Sequence, residues 1–157
     1  MADQKSPTPE TGLDYLVARG RLERIEPRAS AAQHLLAESR RHLASAQMLS
    51  ETEDVSMAFI SAYDAARKSL TAVLSIMGFR ATGGDGGHAV VSDAVRIMCP
   101  DQKRILQRFD WMRNVRNSTE YPDANRPTAT PEDVVEGMET AEMLVELAEE
   151  FVSRGEC

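Results

Sequence analysis

Residues 111–123 read WMRNVRNSTEYPD and set Arg113, Arg116 and Glu120 within two helical turns, with each arginine followed by an asparagine. A guanidinium is a permanent cation with a planar fork of donors, suited to a carboxylate or a phosphate. A carboxylate four residues along a helix can pair with it. Three uses fit these residue types: a solvated ladder of ion pairs, a buried structural ion pair, or a cleft or subunit interface where the arginine meets a ligand.

The wheel of the helix weighs between them. With Ile105 at zero, Phe109 falls at about 40° and Met112 at about −20°, which marks the apolar stripe. Arg116 then lands near 20°, Glu120 near 60° and Arg113 near 80°. Arg116 therefore continues the core stripe into the last turn, where a cation also meets the favourable end of the helix dipole. Left unpaired in a dry site it would cost on the order of several kcal/mol, and Glu120 is placed to pair with it. The solvated ladder fits least; the residues leave open the choice between a structural pair and a ligand site.

The elements that must position this stretch are helical. Residues 1–12 lack periodicity and are expected to be a disordered tail. Residues 13–29 place Leu13, Leu16, Val17, Leu22 and Ile25 at roughly helical spacing, interrupted by Gly20 and stopped by Pro27. A long helix is predicted to start after Ser30 as N-cap and run to Ser50, with Leu35, Leu36, Ser39, Leu43, Ala46 and Leu49 on one face. The next spans VSMAFISAYDAARKSLTAVLSIMG, with the stripe Phe59, Ala62, Ala66, Leu70, Val73 and Met77, and ends at Gly78. FRATGGDGG reads as a flexible loop, and HAVVSDAVRIM as a shorter helix closed by Pro100. A helix over 101–120 stops before Pro122. The last is capped by Thr130 with Pro131 at its first position, and turns Val134, Val135, Met138, Ala141, Val145, Ala148 and Val152 inward. No stretch alternates as a strand does. The expected fold is all-α: an up-down bundle of four main helices over residues 30–155, plus a short N-terminal helical segment over 13–29.

Composition excludes several chemistries. The net charge of −7 argues against non-specific nucleic-acid binding except through a local basic patch. No phosphate-cradling glycine motif follows a strand, and His34, His42 and His88 form neither the Glu-x-x-His pairs of a di-iron bundle nor a zinc cluster with the cysteines. No metal or cofactor is expected. Cys99 and Cys157 lie far apart in sequence and suit free thiols in a reducing cytoplasm, with Cys157 exposed. The N-terminus is unlike a signal peptide and no apolar run would span a membrane, so a soluble cytoplasmic protein is expected. His42 lies between Leu35 and Leu49 on its wheel, as a core or interface histidine would; His88 suits a helix start. Arg104 and Arg108 extend a basic strip along the helix that carries Arg116, or simply solvate its edge and pair with acids of the last helix.

Arg116-Asn117-Ser-Thr-Glu-Tyr121, together with the small-residue helix of residues 62–78, a loop, and a helix beginning at His88, resembles the HEPN family over roughly residues 30–155. The resemblance implies a helical bundle whose arginine and histidine, contributed by two subunits of a homodimer, cut RNA: the arginine holds phosphate, the histidine moves the proton. Carried over, Arg116 is the phosphate-binding arginine, Asn117 the polar orienter, and Tyr121 stands where the family has histidine. Arg113, Glu120 and Arg108 would line the binding surface. A phenol is a poor general base at neutral pH, though it can donate a hydrogen bond. The implied function is therefore a catalytically degenerate, partner-binding or neutralising component of a bacterial toxin–antitoxin or defence-type module. The alternatives are a ribonuclease toxin and a purely structural bundle. The implied partners are a second copy, a nucleotidyltransferase or other toxin–antitoxin component that can adenylylate a tyrosine such as Tyr121, and RNA.

Overall fold

The computed structural model describes residues 9–83, 86–122 and 128–157. Six helices carry the chain: α1 (Pro9–Ala18), α2 (Ala29–Ser50), α3 (Val55–Met77), α4 (Gly86–Met98), α5 (Lys103–Glu120), entered through a 3-10 turn at Pro100–Gln102, and α6 (Pro131–Arg154). The all-α bundle expected from sequence is what forms. Of the tail assigned to residues 1–12, residues 1–8 lie outside the described residues, and α1 takes the rest.

Helix α3 is the centre. It packs against α2, α6, α4 and α5, and alanines at 58, 62, 65, 66 and 72 are fully buried, letting its neighbours approach its backbone closely. Phe59, Tyr63, Leu70 and Val73 fill the space between the layers. Its start is set by Asp54, whose carboxylate accepts the Met57 N–H at 3.1 Å. Its end is set by Gly78, at φ 84°, where a Cβ would also stand 3.0 Å from the Ile25 carbonyl oxygen. Met77, expected in the core, is exposed; Leu74 and Phe79 fill the positions beyond Val73 instead.

Two strands, which the sequence did not announce, are present: β1 (Leu22–Arg24) pairs antiparallel with β2 (Phe79–Ala81), Glu23 opposite Arg80. Three residues are too few to show alternation, and β2 takes the first part of the stretch expected to be loop. The ribbon ties the α1–α2 connection to the α3–α4 connection; within that loop, Gly84 and Asp85 lie outside the described residues. Helix α2 starts at Ala29 without the expected Ser30 cap: Arg28 holds the N-cap place, extended and with no side-chain bond. Thr130 does cap α6, in a reciprocal box with Asp133, and Pro131 follows it.

Val135, expected inward, is 52% exposed. The buried residues of α6 include Gly137, Leu144 and Phe151, which turn the core-facing direction about 40° away from the assumed stripe and leave Val135 on the outer side. The cysteines differ from expectation as well. Cys99, at the end of α4, is joined to Cys157 by a disulfide, with Cα atoms 5.7 Å apart. Sequence separation hid that the end of α4 and the residues after α6 meet. Among the described residues, no helix is long and apolar enough to cross a membrane.

Candidate functional site

Helix α5 buries Leu106, Phe109, Met112 and Thr119, so Arg116 sits one turn beyond the core on the same side, as the wheel requires. Its guanidinium lies 3.0 Å from Glu120, and its side chain is 19% exposed. The carbon of the guanidinium stands 5.8 Å from the ring centroid of Tyr63 on α3. Phe109 of α5 also stacks on that ring at 5.5 Å, and the His88 ring of α4 lies tilted to it at 5.8 Å. Tyr63 thus meets two residues of one helix, a phenylalanine and an arginine two turns apart. The cation above the ring face is an attractive geometry.

At its polar end the Tyr63 hydroxyl lies 2.9 Å from Nδ1 of His88, in the first turn of α4. Burial pushes the phenol up to about 12, against the pull of Arg67, Arg116 and Arg113. It is therefore a neutral O–H at physiological pH, able to donate to the imidazole.

Arg67, Arg113 and Arg116 act on this phenol and Arg96 joins them through Asp110, each tethered to an acid. Arg96 reaches Asp110 at 2.7 Å, Arg113 is 3.9 Å from the same carboxylate, and Arg67 is 3.6 Å from Asp64. The Nε atoms of Arg67, Arg96, Arg113 and Arg116 are buried with no hydrogen-bond partner among the described residues. The cluster is basic and half-buried, with its Nε atoms enclosed, and guanidinium forks so placed suit an oxyanion. Thr119 secures the end of α5: its hydroxyl donates to the Val115 carbonyl at 2.7 Å and accepts the Ala129 N–H at 2.9 Å.

The predicted residues divide. Arg116, Glu120 and Arg113 come together at the half-buried edge. Asn117 is exposed, with its carbonyl accepting the Tyr121 N–H at 3.0 Å. Tyr121 closes the helix at its C-cap and is 68% exposed, outside the arginine cluster. Arg108 is half-buried two turns earlier and Arg104 is exposed. The acids of α6 that bridge to another helix, Glu142 and Glu149, bind Arg40 of α2 rather than these two. The helix expected to begin at His88 starts two residues earlier, at Gly86, so His88 lies in its first turn, where it meets Tyr63. His42 is half-buried, its Nε2 enclosed without a hydrogen-bond partner among the described residues. Sequence reasoning missed Tyr63, Arg67, Arg96 and Asp110. Tyr63 alone gave a signal, as the one large polar-tipped residue in an alanine-rich core stripe. Among the described residues no cluster of His, Cys, Asp and Glu could hold a metal ion.

An all-α bundle built on a small-residue central helix, with an arginine closing the core stripe of a late helix, defines a class of compact helical domains. The sequence profile of the HEPN domain matches residues 32–151, and the chain belongs to that family. No curated protein and no solved structure matches it.

Proposed function

We propose that this chain is a catalytically degenerate HEPN module of a bacterial toxin–antitoxin or defence-type system, which binds rather than cuts. One observation carries the reading: the motif's arginine is already occupied by Glu120 and Tyr63, while the residue in the histidine's place, Tyr121, is an exposed phenol outside the arginine cluster. An arginine so restrained can recognise an oxyanion by exchanging its Glu120 partner. It has no imidazole in the motif to move a proton. In this reading the module works as a homodimer or against a protein partner such as a nucleotidyltransferase, with Arg113, Arg116 and the exposed Asn117 and Tyr121 on the contacting face and Arg108 at its edge.

A second reading, a ribonuclease acting at a composite site, is favoured by a different observation. His88 reaches the same neighbourhood from α4 through Tyr63. An imidazole supplied from outside the motif would replace the missing one as general base, with the arginine cluster stabilising phosphate charge.

The two are separated by incubating purified protein with a varied pool of RNAs beside Arg116→Ala, His88→Ala and Tyr121→Phe, with circular dichroism to establish folding. Intact RNA in every lane supports the binding module. Cleavage lost in folded Arg116→Ala and His88→Ala, but kept in Tyr121→Phe, overturns it in favour of the ribonuclease.

A further inference from the structure

Helices α2 and α6 both lean on α3 and leave between them a groove of about 890 Å³. Leu43 and Ala44 of α2 and Val135, Met138 and Met143 of α6 supply its apolar lining. Glu139, Glu142 and Glu146 stand along it on α6, with Arg40 on the facing helix. Glu142 is already neutralised by Arg40 at 2.6 Å, which leaves Glu139 and Glu146 on the rim as carboxylates with no ion-pair partner among the described residues.

The groove continues into the outer strip of α6, which reads Glu132, Val135, Glu139, Met143, Glu146 and Glu150 at helical spacing. A strip meant only for water has no use for a valine and a methionine two turns apart, 52% and 41% exposed. Met143 and Glu146 also line a second, smaller hollow shared with Ile105 and Leu147, so apolar surface flanks the strip on both sides. Helix α6 carries one base, Arg154, against this row of acids.

We infer that this face is a docking surface for an amphipathic helix of another protein, with apolar side chains at i, i+3/i+4 and i+7 and flanking lysines or arginines. A trough between two helices accepts the ridge of a third, and apolar anchors fill it while cations meet the rim. Charge decides against the other occupants. A second copy docked through the same face would set this acidic strip against itself, and nucleic acid or an anionic membrane surface meets the same repulsion. The groove shares no residue with the Arg116 cluster, so the inference stands whether or not that cluster cuts RNA.

The test uses the full chain and two labelled synthetic helical peptides, one with leucines on one face flanked by lysines, the other with glutamates in place of the lysines. Binding is read by fluorescence anisotropy against the wild type, Glu139→Lys/Glu146→Lys, Met143→Glu, and Glu51→Lys/Glu53→Lys. The last pair makes the same charge change in the turn after α2, away from the groove. The expected result is binding of the lysine peptide, weakened about tenfold or more by the two groove variants and within about twofold of wild type in the turn variant, with no binding of the glutamate peptide. Equal weakening by both charge-reversal pairs overturns the inference, since it reports net charge alone. Absence of lysine-peptide binding overturns it too, as does a concentration-dependent dimer of the wild type that Met143→Glu abolishes.

Discussion

The hydroxyl of Tyr63 lies 2.9 Å from Nδ1 of His88, so one buried phenol on α3 fixes a histidine that sequence alone assigns merely to a helix start. The same ring carries Arg116 on α5. Tyr63 is therefore the hinge of the candidate site: three helices meet at it, and each polar member is positioned through it.

The Tyr63 phenol, raised from 10.0 to about 12, makes stability pH-dependent at the alkaline end. Because its folded value lies above its unfolded one, its contribution is fully present below pH 10 and lost as pH rises towards 12. The stake is about 2–3 kcal/mol. A spectrophotometric titration of the folded protein, differenced against Tyr63→Phe, should show the missing phenolate signal developing only towards pH 12. A difference signal complete near pH 10 would contradict the buried environment. Tyr63→Phe itself keeps the ring contacts and should cost about 1 kcal/mol for the lost hydrogen bond, measured by urea denaturation.

Arg116 and Glu120 should not prove equivalent. Their ion pair is worth about 0.5 kcal/mol, but Glu120 is the last residue of α5, where the helix dipole disfavours a carboxylate by a similar amount. Glu120→Gln should therefore leave stability within about 0.5 kcal/mol of wild type. Arg116→Ala also loses the contact with the Tyr63 ring and should cost about 1–2 kcal/mol. A double-mutant cycle at low and high salt checks this; equal, large losses from both single variants would make the pair a structural clamp instead.

Gly137→Ala tests the closeness of α6 to α3. A Cβ there would stand 3.0 Å from Cε2 of Phe59 and 3.6 Å from Cε of Met112. Phe59 cannot yield easily, being fully buried and packed edge-on against Trp111. Replacing glycine inside a helix ordinarily gains about 1 kcal/mol, while overpacking costs about 1–3. The net expectation is a loss of about 1 kcal/mol, seen as a lower denaturation midpoint. A midpoint at or above the wild type would show that the contact relaxes.

Reduction of Cys99–Cys157 should lower stability by about 4 kcal/mol, since the bridge closes a loop across a separation of 58 residues. Thermal unfolding with and without a dithiol reductant measures it, and Cys157→Ser should match the reduced protein. No difference between the two conditions would mean that the unfolded chain gains nothing from release.

The sequence by itself determined the main helices and, for α5, the direction in which it faces. Hydrophobic period, the Thr130–Pro131 start and the Gly78 stop are local signals, written in the residues that obey them, and they placed Arg116 on the core side of α5 before any packing was known. The tertiary structure alone decided what Arg116 meets. Tyr63 and His88 come to it from α3 and α4, and their approach depends on how closely alanine-lined surfaces pack, which no wheel of a single helix contains. The same holds for the disulfide, whose halves meet only once the fold brings the end of α4 to the residues after α6, and for the three-residue strands, too short to leave a period. Val135 gives the reverse case: its chemistry argued for the interior, but the inward direction of α6 is fixed by Gly137, Leu144 and Phe151 together, and a valine at that angle is left facing outward.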